Sequence, residues 1–143
     1  MSTLAINTIS GQTAANSVVV IGEGGTNTTS LQQGLVKAWV NFTGVTTTTL
    51  RDSFNVGSFT DIGTGKTDIT YTNAMLNDNY SGSYYTSSSA STGTYSFNNA
   101  YTGVFGIAGS NNRTTTLIKV AAFSTGAFID SVTNDMTIVG DLA

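Results

Sequence analysis

The side chains able to do chemistry are few. The chain has eight acidic residues (Glu23, Asp52, Asp61, Asp68, Asp78, Asp130, Asp135 and Asp141), five basic ones (Lys37, Arg51, Lys66, Arg113 and Lys119), and neither histidine nor cysteine. General acid–base work needs two carboxylates brought together. Their spacing pairs none of them, and several stand in turn-like contexts where Asp caps its own backbone. Without histidine the commonest general base and metal ligand is missing. Without cysteine there is no disulfide, thiolate or Cys-based zinc site. Asn77-Asp-Asn79 lacks the ligand spacing of a calcium loop. Gly63-Thr-Gly-Lys66 has the ending of a phosphate loop but not its leading glycine and spacer, and no series of helix formers follows. Catalytic residues, metal ligands and cofactors are therefore not expected, and the chain reads as a non-enzyme. The basic residues are scattered singly, so no phosphate-tracking stripe forms and nucleic acid is not an expected partner. Arg51 and Asp52, beside Lys37, are expected to form an ion pair fixing the register of two strands.

The elements that must position these groups are strands. Val36, Ala38, Val40 and Phe42 alternate with Lys37, Trp39 and Asn41 along residues 34–43, the period of an extended chain. A Trp on the polar side implies that this second face is covered too. Thr47–Phe54 is the expected antiparallel partner, with Leu50 and Phe54 on one face. Further strands are expected at 67–72 with Ile69 and Tyr71 inward, at 80–86 with Tyr80 and Tyr84 on one side, at 102–108, at 113–123 as a central strand, and at 135–139. Gly57, Gly63 and Gly65 punctuate the stretch before residue 67, and 73–78 reads as a short helical turn. The sum is an all-β, antiparallel β-sandwich or jelly-roll-like domain over 34–143.

Residues 1–33 read differently. Leu4–Ile9 and Ser17–Ile21 can make short strands, but two such strands cannot bury enough apolar surface to offset about 1–2 kcal/mol of ordering per residue. They read as an extended arm for attachment or oligomerisation, or as an edge hairpin of the same domain. Leu4, Ile6, Ile9, Val18 and Val20, with Trp39, are the candidate assembly residues. Tyr84, Tyr85, Tyr95, Phe97, Asn98, Asn99 and Tyr101 are the candidate outward-facing binding residues, with aromatic platforms and amides suited to a sugar or a protein surface.

Composition narrows the class. Charged residues make up 9% of the chain, against about 25% in an ordinary globular domain, so solubility rests on Thr, Ser and Asn with help from a net charge of -3. No apolar run is long enough to cross a bilayer as a helix, and the N-terminus lacks the basic region of a signal peptide. The chain contains no proline and few charges to guard sheet edges, which argues for edges covered in an oligomer.

The opening Met1-Ser-Thr-Leu-Ala-Ile-Asn-Thr-Ile9 resembles the start of small phage virion proteins, particularly from phages of aquatic bacteria. Val36-Lys-Ala-Trp-Val-Asn-Phe42, Leu50-Arg-Asp-Ser-Phe-Asn-Val56, Asp61-Ile-Gly-Thr-Gly65, Asp68-Ile-Thr-Tyr-Thr72, Ala74-Met75 and Asn79-Tyr80 are similar to the core motif of tail-fibre and appendage C-terminal domains. The similarity covers residues 34–86; beyond them only the Thr- and Asn-rich, all-β character matches. It implies a virion structural protein, a homotrimer assembled in the host cytoplasm. The short stretch before the domain, without shaft repeats, points to a capsid decoration or cement protein contacting the major capsid protein through its arm. The alternative is a tail-fibre or appendage tip, joined to tail structural proteins, that binds a host-surface glycan or protein.

Overall fold

The computed structural model describes residues 5–11, 17–22, 24–45, 48–87, 112–124, 127–140 and 142. The chain divides into two units, Met1–Leu35 and Val36–Ala143.

In the first unit, β1 (Val19–Ile21) pairs antiparallel with β2 (Thr28–Ser30). The intervening turn is closed by Gly22 donating its N–H to the Asn27 carbonyl at 2.8 Å. A single-turn helix α1 (Leu31–Gly34) follows, with Ser30 as its N-cap: its hydroxyl accepts from the Gln33 N–H at 3.3 Å. This cap satisfies one of the donors that a helix start leaves open. Residues 5–9, the described part of the strand read over Leu4–Ile9, form no strand here.

In the second unit the 34–43 alternation becomes β3 (Val36–Thr43), followed by β4 (Thr49–Phe54), β5 (Val56–Gly63), β6 (Lys66–Tyr71), β7 (Ser81–Ser87), β8 (Leu117–Ala121), β9 (Phe123–Ser124), β10 (Ala127–Phe128) and β11 (Thr133–Val139). The larger sheet has the order β4-β3-β11-β7 and the smaller the order β5-β6-β8, while β9 and β10 form a separate pair. All pairings are antiparallel.

The two sheets share one core, as a β-sandwich requires. Ala38, Val40, Phe42, Tyr84, Met136 and Ile138 face it from the larger sheet, and Ile69, Tyr71, Ile118 and Val120 from the smaller; Met75 and Tyr80 complete it. Each fully buried large side chain contributes about 1.5–3 kcal/mol through removal from water. Val36, placed by alternation on the inner side, is 44% exposed instead. A bulge makes Ala38 and Val36 oppose the consecutive residues Ile138 and Val139, so the extra residue Lys37 shifts the pleat.

The passage between sheets turns on Asn55. It joins β4 to β5 with φ 59°, the left-handed conformation that Asn tolerates better than other non-glycine residues. Its Nδ2 donates to the carbonyls of Lys37 (3.0 Å) and Asn73 (3.1 Å), and its Oδ1 accepts from the Asn73 N–H (2.7 Å). One side chain thereby ties the start of β3 to the exit of β6.

Three expectations change. Residues 56–63 form a full edge strand rather than a punctuated loop. Residues 73–78 hold no helix; Met75 forms an isolated bridge to Leu142 and is buried. The 113–123 stretch is shorter than expected: β8 spans Leu117–Ala121 and, among the described strands, pairs with β6, and Arg113 folds back on Ile118 by a bridge. Thr114 sets that reversal, its N–H donating to the Leu117 carbonyl while its hydroxyl accepts from the Leu117 N–H.

Candidate functional site

Alternation along the larger sheet sends Ala38, Val40 and Phe42 inward, so Trp39 and Asn41 lie on the opposite, outer face. The strand register aligns two rows on that face. One row runs Phe54, Trp39, Thr137, Ser83, and the next runs Asp52, Asn41, Asp135, Tyr85.

The second row is hydrogen-bonded. Asn41 donates from Nδ2 to Asp135 Oδ1. Arg51 donates to the Val132 carbonyl at 2.8 Å and to Thr133 Oγ1 at 3.3 Å, and reaches Asn41 Oδ1 at 3.5 Å, the outer limit of a hydrogen bond. The Arg51–Val132 contact is the short one and fixes the guanidinium. A second bulge, which makes Asn41 and Phe42 oppose Asp52 and Leu50, leaves Arg51 as the unmatched residue able to reach across to β11. Aromatic surface flanks the row: Phe54 is 51% and Tyr85 50% exposed, and Trp39 is half-buried.

The ion pair expected among Lys37, Arg51 and Asp52 does not form. Arg51 turns to β11, Asp52 accepts its neighbour Ser53's N–H at 2.8 Å, and Lys37 is buried with no ion pair among the described residues. The bulges that displace Lys37 and Arg51 are the reason, because strict alternation no longer sets where either side chain goes. The ion pair present among the described residues joins cross-strand partners Asp68 and Lys119 on the smaller sheet at 3.8 Å. Lys119 is exposed and Asp68 partly so, and a solvent-screened pair of this kind adds little stability.

Other acidic groups act as backbone caps. Asp61 accepts from the Gly63 N–H and from the Thr48 hydroxyl, and Asp130 accepts from the Gly65 N–H, each within 2.8 Å. Asn77 closes a turn by accepting from the Asn79 N–H. Gly63-Thr-Gly-Lys66 is the β5–β6 hairpin turn, and the Lys66 ammonium lies 4.2 Å from the centre of the Phe128 ring. No group of three or more Asp, Glu, His or Cys gathers among the described residues.

A cleft at one end of the sandwich, lined by Asp61, Lys66, Asp130, Ser131 and Asn134, has an enclosed volume of about 10 Å³. That is about the room one water needs, far below the roughly 300–1,000 Å³ of small-molecule sites. Its inner wall is a structural lock: Tyr84 donates its hydroxyl to Asn134 Oδ1 at 2.7 Å, and Asn134 donates from Nδ2 to the Ser131 and Phe42 carbonyls. Burial pushes the Tyr84 phenol pKa above its ordinary value, and the negative charge of Asp135 adds to the shift.

Tyr84 therefore leaves the set of outward residues. It is 2% exposed because it shares the inner side of β7 with Thr86, while its neighbour Tyr85 points out. Tyr95, Phe97, Asn98, Asn99 and Tyr101 lie outside the described residues, as do Leu4 and the expected 102–108 strand. Ile6, Ile9 and Val20 are 51–58% exposed, and Val18 is half-buried. The outer-face row was missed from sequence: its Asn41–Asp135 contact joins residues 94 positions apart, and only the strand pairing reveals it.

Comparison with protein-family models, with curated proteins and with solved structures returns no match.

Proposed function

We propose that this chain is a non-enzymatic structural protein of a phage particle, a capsid decoration or cement subunit that attaches through its N-terminal unit. The observation that carries the reading is the absence of any buried residue among the described residues of that unit. Val19, Val20 and Ile21 are consecutive in β1, so they present apolar groups to both sides of the strand, and they are 48%, 52% and 62% exposed. Ile6, at 51%, and Ile9, at 58%, are exposed as well. A three-residue strand pair lacks the burial to offset its own ordering, and apolar surface on this scale serves contact with another body. The motif resemblance of residues 34–86 supplies the particle context. Many copies, each held by arm and body, would gain avidity without a new contact.

Quantitative mass spectrometry of purified particles against the major shell protein tests this. Hundreds of copies per particle support decoration of the head. A few to a few tens would move the chain to a tail or appendage tip, and absence from particles would overturn the virion role.

A further inference from the structure

We infer that the outer face of the larger sheet is a binding site for a neutral saccharide, centred on the Asn41–Asp135 pair. This goes beyond the particle role and does not depend on it.

The chemistry of the two rows points to that ligand. A pyranose offers vicinal hydroxyls, each both donor and acceptor, at its edge and apolar C–H surface on its faces. Asp135 and Asn41 form a hydrogen-bonded acceptor–donor pair on cross-strand neighbours, and Arg51 extends the donors beside it. The described contacts use one oxygen of Asp135 and part of the Arg51 fork, which leaves hydrogen-bonding capacity on both. Contacts to β11 already orient these groups, so binding would cost little further ordering.

The aromatic rings stand where the apolar faces of a sugar chain would need them. Trp39 and Tyr85 are two strands and one row apart, about 12 Å from strand spacing and rise. A di- or trisaccharide spans that interval. Phe54, the cross-strand neighbour of Trp39, widens the platform on the β4 side. Tyr and Trp suit such a surface because each offers a flat apolar body with a polar handle.

Charge selects against anions. The row carries the Asp52 and Asp135 carboxylates against the single Arg51 guanidinium, so a sulfated, phosphorylated or sialylated ligand meets net repulsion. A neutral polyol donates to the carboxylates instead. Protein partners are disfavoured by the same row, whose central polar groups would have to be desolvated and re-paired.

The test uses the full chain on an array of neutral gluco-, manno- and galacto-oligosaccharides, with sialylated and sulfated glycans as controls. Titration calorimetry against the best neutral hit follows. The expected result is retention of neutral oligosaccharides in preference to anionic ones. Tyr85→Ala and Asn41→Ala should each weaken that binding at least tenfold at unchanged melting temperature, while Lys119→Ala, on the other sheet, leaves it intact. If Asn41→Ala lowers the melting temperature, Tyr85→Ala alone decides, since its side chain lies outside the core. No neutral hit, a preference for anionic glycans, or affinity indifferent to Tyr85→Ala would each overturn the assignment. So would a dimer in light scattering that Tyr85→Ala dissociates, because the face would then belong to a second copy.

Discussion

The ring of Phe42 meets that of Phe59 edge to face, with centroids 4.5 Å apart and planes at 74°. Phe42 belongs to β3 in the larger sheet and Phe59 to β5 in the smaller, so this pair joins the two layers. Phe42 also stacks on Tyr84, with centroids 6.4 Å apart.

Phe42 is 1% exposed, whereas Phe59 is only partly buried at the edge. Phe42→Ala should therefore destabilise the second unit by about 3–5 kcal/mol, the range for a truncated core aromatic. Phe59→Ala should cost less, because its site opens to solvent and can relax. Urea denaturation of both variants checks the order, and equal losses would contradict a layer centred on Phe42.

Asn55 combines two demands in one residue, a left-handed backbone and three amide hydrogen bonds. Asn55→Gly keeps the first and loses the second; Asn55→Ala loses both. At about 1 ± 0.5 kcal/mol per net hydrogen bond and about 1–2 kcal/mol for the left-handed penalty, Ala should be the worse by about 1–2 kcal/mol. Thermal melting of the two variants separates the terms; equal losses would show that backbone strain contributes nothing.

How much of this was readable beforehand depends on how local each signal is. Strands β3, β6 and β11 are written in alternation: Ala38, Val40 and Phe42, then Ile69 and Tyr71, then Met136 and Ile138 all reached the core. Strand β5 was illegible because Val56–Gly63 offers one large inward ring, Phe59, between glycines. Lys37 and Arg51 were misread because bulges move them, and no periodicity announces a bulge. The Asn41–Asp135 pair depends on β3 lying beside β11, a long-range choice that neither strand's own pattern encodes.

Two glycines of one hairpin turn should respond unequally to alanine. Gly65 has φ +65°, and a Cβ there would stand 2.5 Å from the Ile129 carbonyl oxygen and 2.8 Å from that of Ala122. Those atoms are backbone, and they sit where Ala122 donates to the Gly65 carbonyl and Gly65 to Asp130. Gly63, at φ +133°, has nothing within 4 Å of a new Cβ. Gly65→Ala should shift the hairpin and lower the melting temperature more than Gly63→Ala, which meets conformational strain alone. Similar melting of the two would place the hairpin tip away from residues 122–130.

Alkali should unfold the body through its buried phenols. Burial pushes Tyr71, Tyr80 and Tyr84 all above the ordinary tyrosine value. In the unfolded chain each releases its proton near pH 10. Above that pH the native state holds more protons than the unfolded state, so stability falls as pH rises. Their contribution is fully present below about pH 10 and is lost as pH climbs through the raised folded values. Absorbance titration at 295 nm should show these three ionising only as the fold is lost; their smooth titration in a still-folded protein would contradict their burial.

Among the described residues the core draws on positions from 38 onward, and the division between units falls at Leu35 and Val36. Deleting residues 2–35 removes no core side chain among the described residues, so the remaining body should fold with a cooperative melt and a midpoint within a few degrees of the full chain. It also removes the exposed apolar groups Ile6, Ile9, Val19, Val20 and Ile21, so particle attachment should be lost while solubility improves. Circular dichroism and co-sedimentation with particles read the two outcomes separately. A truncated chain that aggregates would mean that the N-terminal strands belong to the sandwich itself, and a folded one that still co-sediments would move the attachment surface onto the body.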